Sequence, residues 1–87
     1  MTTVHKYKLF TSEKQLLVLP AKSKILSVQE QYGEIVLYAM VDTSVREVDT
    51  HTIYVYGTGH RIEEMDIRFI GTVKLNAGTL MFHVFAK

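Results

Sequence analysis

The stretch Ile67-Arg68-Phe69-Ile70-Gly71-Thr72-Val73-Lys74-Leu75, then Asn76-Ala77-Gly78, then Thr79-Leu80-Met81-Phe82-His83-Val84-Phe85 reads as two strands joined by a short turn. Ile67, Phe69, Gly71, Val73 and Leu75 alternate with Arg68, Ile70, Thr72 and Lys74, and Leu80, Phe82 and Val84 alternate with Met81, His83 and Phe85. Side chains on a strand point to opposite faces in turn, so this period of two separates a core face from an outer one. The second strand carries apolar residues on both faces. Asn76-Ala77-Gly78 suits a three-residue hairpin loop, because glycine takes the left-handed conformation such a loop needs.

The same grammar extends toward the N-terminus. Val4 to Phe10 is a first run, and Thr11 to Lys14 leads into a brief strand, Gln15 to Leu19. Pro20 closes it, since proline cannot donate to a ladder. Ala21-Lys22-Ser23 is a turn, and Lys24 to Tyr32 pairs with Ile35 to Val41 across a short hairpin connection at Gly33-Glu34. Ile35-Val36-Leu37-Tyr38-Ala39-Met40-Val41 is apolar on both faces, which predicts a central strand with a second cover; a subunit interface is one candidate. Asp42 to Asp49 is a polar loop before the strand Thr50 to Tyr56. His60 to Asp66 has room for one helical turn at most. No window carries an i, i+3, i+4 apolar stripe, so the chain reads as all-β. The expectation is a single domain, residues 1–87, folded as a compact antiparallel sandwich or partly open barrel of about seven short strands.

At 87 residues the chain buries only roughly 60–65% of its unfolded surface. Hydrophobic residues make up 47% and charged residues 22%, which excludes disorder and favours self-association into a homo-oligomer. A net charge of +1 supplies no global field for a polynucleotide or an anionic membrane. There is no cysteine, so thiol chemistry and disulfides are excluded, and the composition fits the cytoplasm. Neither a signal-peptide core nor a membrane-length apolar run is present, and the expectation is a soluble, unprocessed chain with no membrane partner.

Tyr56-Gly57-Thr58-Gly59-His60-Arg61 concentrates backbone freedom, donors and titratable groups. Two glycines let successive N–H groups face one concavity, with Thr58, His60 and Arg61 completing an anion-binding rim. The plainer reading is a turn that redirects the chain. It is neither a dinucleotide fingerprint nor a P-loop, both of which need other glycine spacings and a following helix. The four histidines, His5, His51, His60 and His83, show no ligand spacing, so no metal and no cofactor is expected. No nucleophile–base pair or facing carboxylate pair is legible, and the chain reads as a binder, not an enzyme. Lys6, Tyr7 and Lys8 in one strand and Tyr54 and Tyr56 in another sketch a weak single-strand track, for which cross-strand packing is the simpler account. One nucleobase and a few phosphates demand less. An aromatic plate, Tyr7 or Tyr54, with His5, Lys6 and the segment Gly57, Thr58, Gly59, His60, Arg61, meets those demands.

His5-Lys6-Tyr7, Ile25-Leu26-Ser27-Val28-Gln29, Val41-Asp42, Gly57-Thr58-Gly59-His60, Phe69-Ile70-Gly71-Thr72-Val73 and Phe82-His83-Val84-Phe85 together resemble a family of small, largely uncharacterised bacteriophage accessory proteins. The resemblance runs along nearly the whole chain, with two departures: Tyr38 replaces a tryptophan and Arg61 a proline. It implies a phage accessory protein of the host cytoplasm, of a class in which anti-defence factors sequester a nucleotide-derived immune signal between subunits. The alternative is a protein–protein interaction module that inhibits a host protein or serves virion assembly. A phosphodiesterase acting on such a signal is a third reading, carried only by the histidines.

Overall fold

The computed structural model describes residues 1–87 as seven strands: β1 (Thr2–Leu9), β2 (Lys14–Pro20), β3 (Lys24–Gln31), β4 (Glu34–Asp42), β5 (Val48–Gly57), β6 (Arg68–Leu75) and β7 (Leu80–Ala86). All ladders are antiparallel. They make a three-stranded sheet ordered β1-β4-β3 and a four-stranded sheet ordered β2-β5-β7-β6. The sheets meet where β3 lies against β6. With no ladder between them the architecture is a sandwich, and its thickness of 16 Å suits two sheets stacked about 10 Å apart.

β4 is the centre of the smaller sheet, as its two apolar faces require. Ile35, Leu37, Ala39 and Val41 enter the core. Its other face is partly covered from within: Val36 is buried, and the Tyr38 hydroxyl donates to Gln31 Oε1 at 3.0 Å. From the larger sheet Leu19, Ile53, Val55, Val73 and Val84 complete the core. Pro20 ends an edge strand, where its missing N–H costs no ladder bond.

The turns explain three differences from the sequence reading. Tyr32 (φ 52°) and Gly33 (φ 79°) form the two-residue hairpin, both in the left-handed region, as a type I′ turn demands. Between β6 and β7 the connection is longer than three residues, since Leu75 pairs with Leu80. Asn76, Ala77 and Gly78 all take positive φ there, in a 3-10 turn. This is the chain's helical turn, and none forms over residues 60–66. In β6 a bulge makes Ile70 the extra residue between the Phe69–Phe85 and Gly71–Val84 pairs. A bulge reverses the alternation, so Ile70 packs on the core and Phe69 turns outward against Phe85, ring centroids 5.5 Å apart.

At the end of β4, Asp42 Oδ1 accepts from the Ser44 hydroxyl at 2.7 Å, the Ser44 N–H at 3.0 Å and the Met1 ammonium at 3.2 Å. The Ser44 bonds lead in lowering its pKa from 3.8 to about 2. A depressed carboxyl stabilises the fold above its unfolded pKa, and that contribution fades as pH falls from 3.8 toward about 2. Ser44→Ala is expected to return the Asp42 titration toward 3.8, read from its carboxyl shift by NMR.

Candidate functional site

Between β5 and β6 the chain must pass over β7, from the level of Phe82, which pairs with Gly57, to that of Ala86, which pairs with Arg68. Residues 58–67 make this crossing on the outer face of the larger sheet without regular secondary structure. Glu64 anchors the crossing to Lys87 Nζ at 3.4 Å. Tyr54 and Tyr56, on that outer face, are consequently only 4% and 5% exposed. Their rings are parallel at 6.2 Å, and Tyr56 meets Phe85 edge-on at 6.1 Å.

Beside this crossing lies a recess of about 500 Å³ lined by Glu13, Lys14, Tyr54, Tyr56, His60, Arg61, Glu63 and Glu64. Tyr54 and Tyr56 are its two aromatic lining residues. Burial, followed by the charges of Glu64 and Glu13, raises the Tyr56 pKa, so its phenol stays protonated and can donate. Three carboxylates stand against two cations, Lys14 and Arg61. The recess therefore suits a ligand's hydrogen-bond donors, with Lys14 and Arg61 as its cations.

The turn is occupied by its own hydrogen bonds. His60 N–H donates to Gly57 C=O at 3.1 Å and Thr58 N–H to Met81 C=O at 3.3 Å. Gly57 N–H donates to His60 Nδ1 at 3.1 Å. In that bond the Nδ1 lone pair is the acceptor. The concavity of N–H groups expected for phosphate is thus filled by the His60 ring, which lies 3.0 Å from the position a Cβ on Gly57 would take. Gly59 (φ 89°) supplies the reversal. The Thr58 hydroxyl leaves the recess and sits 2.8 Å from His83 Nε2, while Thr72 holds His83 Nδ1 at 3.0 Å.

Of the residues singled out from sequence, His60, Arg61 and Tyr54 meet in the recess. Arg61 is paired with Glu63 at 3.3 Å, and His60 Nδ1 lies 3.8 Å from Glu13. His5, Lys6 and Tyr7 are elsewhere, on β1, opposite Ala39, Tyr38 and Leu37. Tyr7 packs against the core, and Lys6 lines a separate depression of about 290 Å³ with Lys8, Gln31, Tyr32, Glu34 and Val36. Tyr54 does not present a free plate, because the crossing covers its face. Glu13, Lys14, Glu63 and Glu64 belong to no sequence motif, and the crossing brings them to one recess. No group of three His, Asp or Glu side chains converges as a metal site.

A family model described as a domain of unknown function, DUF7352, matches residues 1–87. The chain belongs to the DUF7352 family. No curated protein and no solved structure matches it significantly. No helix of this DUF7352 chain is long and apolar enough to cross a membrane.

Proposed function

We propose that this DUF7352 protein binds and sequesters a nucleotide-derived small molecule without catalysis, acting as a phage accessory, anti-defence protein in a homo-oligomer. The observation that carries the reading is the recess, where Tyr54, Tyr56, Glu13, Glu63 and Glu64 gather donors and acceptors beside Lys14, His60 and Arg61. Its volume falls in the range of small-molecule sites, about 300–1,000 Å³. The base enters first: carboxylates accept from the exocyclic amine and ring N–H of a purine, and the tyrosine hydroxyls donate to its acceptors. Phosphates are held by Lys14 and by Arg61, whose guanidinium exchanges its Glu63 partner at 3.3 Å for a phosphate oxygen. The bacteriophage resemblance supports the biological setting.

Calorimetry with a panel of purine and pyrimidine mononucleotides and cyclic dinucleotides tests this reading. Saturable binding of a purine member is expected, with intact ligand recovered after denaturation. Arg61→Ala with His60→Ala should weaken it about 10- to 100-fold, as loss of charge-assisted hydrogen bonds does, while leaving the thermal transition in place. Absence of binding across the panel, unchanged affinity in the double variant, or recovery of cleaved ligand would each sink the proposal.

A further inference from the structure

Of the four sheet edges, β2 carries the fewest charges, one lysine at its first position. β1 presents Lys6 and Lys8, β6 presents Arg68 and Lys74, and β3 lies against β6. Lysine on an edge blocks pairing with another chain. β2 reads Lys14-Gln15-Leu16-Leu17-Val18-Leu19-Pro20, with its single charge at one end. On its outer face Leu16 and Val18 are 68% and 52% exposed, beside Val48 at 60%.

The backbone direction follows from two bonds at the ends of the β2–β5 ladder. Val55 N–H donates to Glu13 C=O, and Ala21 N–H donates to Glu47 C=O. In an antiparallel ladder such residues alternate with residues whose N–H and C=O point the other way. Odd-numbered β2 residues are therefore bonded to β5, and Leu16 and Val18 direct their backbone groups outward, where no strand pairs with them.

We infer that β2 pairs with β2 of a second copy of this chain, antiparallel about a twofold axis at Leu17, joining the two larger sheets into one. In this register Leu16 faces Val18 of the second copy, and each exchanges both backbone bonds with the other. Their side chains form an apolar stripe across the axis, with Leu17 facing its own counterpart. Lys14 meets Pro20 of the second copy, so no like charges oppose. The register also brings the turn carrying Lys22 of the second copy alongside Ser12 and Glu13. Glu13 lines the recess, so this register sets Lys22 of the second copy beside one of its carboxylates and puts the site at a subunit boundary. The pairing deepens the oligomer part of the proposed function and stands without any ligand.

The full chain in sedimentation equilibrium is expected to be a dimer, and Leu16→Glu and Val18→Lys are each expected to be monomers with unchanged circular dichroism. Mixing the two variants should restore a heterodimer, because residue 16 of one faces residue 18 of the other. Amide exchange supplies a readout independent of the variants. Leu16 and Val18 amides are expected to be protected at least tenfold more in the wild type than in Leu16→Glu, while Leu17 and Leu19 amides stay protected in both. A monomeric wild type overturns the inference, as does a dimer whose Leu16 and Val18 amides exchange freely. Failure of the nucleotide panel with the dimer intact would remove the ligand reading alone.

Discussion

Leu37→Ala is expected to lower stability by about 2–5 kcal/mol, the range for truncating a fully buried leucine whose surroundings cannot close the cavity. Leu37 is 0% exposed, sits on the central strand of its sheet and has a neighbour on each side, Tyr7 on β1 and Val28 on β3. A domain of this size has a total of about 5–15 kcal/mol, so the substitution removes a large share of it. Met40 on the same strand is 40% exposed, and Met40→Ala is expected to cost under about 1 kcal/mol, because little area leaves water at that position. Urea denaturation of both variants at one protein concentration, which holds any association constant, measures the difference. Equal effects would contradict the placement of the core.

The second large effect is expected at Gly71. A Cβ there would lie 2.9 Å from Val28 Cγ2, at the place where β6 of one sheet lies against β3 of the other. In open space alanine at a strand glycine tends to stabilise, by reducing the entropy of the unfolded chain, about 0.4–1 kcal/mol. Val28 reverses the sign. It is buried, and its β-branched side chain has few alternative rotamers, so the clash is relieved only by parting the sheets. Gly71→Ala is expected to destabilise by about 1–3 kcal/mol, the usual cost of overpacking. Val28→Ala in the same chain should absorb part of that loss, giving a double-mutant cycle with coupling of at least about 0.5 kcal/mol. Strictly additive effects would mean that the sheets do not meet there.

Both predictions rest on features with different legibility. The position of β4 follows from seven consecutive residues that are mostly apolar on both faces, a pattern only a covered central strand accommodates. The Gly71 contact depends on the bulge at Ile70. Simple alternation put Phe69 with Gly71, Val73 and Leu75 on the core face, whereas the bulge sends Phe69 out and Ile70 in. A bulge is one unpaired residue whose presence depends on the partner strand, and nothing in Phe69-Ile70-Gly71 alone announces it.

The site divides in the same way. Tyr54 and Tyr56 share a face by parity, and the turn from Gly57 to His60 is marked by its glycines, so a recess near them was within reach of sequence reasoning. His5, Lys6 and Tyr7 were grouped with it by residue type, and the topology assigns β1 to the other sheet. The supposed phosphate nest is lost to the His60 ring, whose return onto Gly57 could not be read from spacing.

The sequence by itself determined the all-β class, the seven strands and the places where the chain reverses, because side-chain alternation and glycine or proline conformations are local properties. Tertiary structure alone decided that residues 58–67 cross the outer face of the larger sheet, that three glutamates join two tyrosines there, and that β2 is left as an open edge with its one charge at the end. Those outcomes depend on strand order, which is set by contacts between residues distant in the chain.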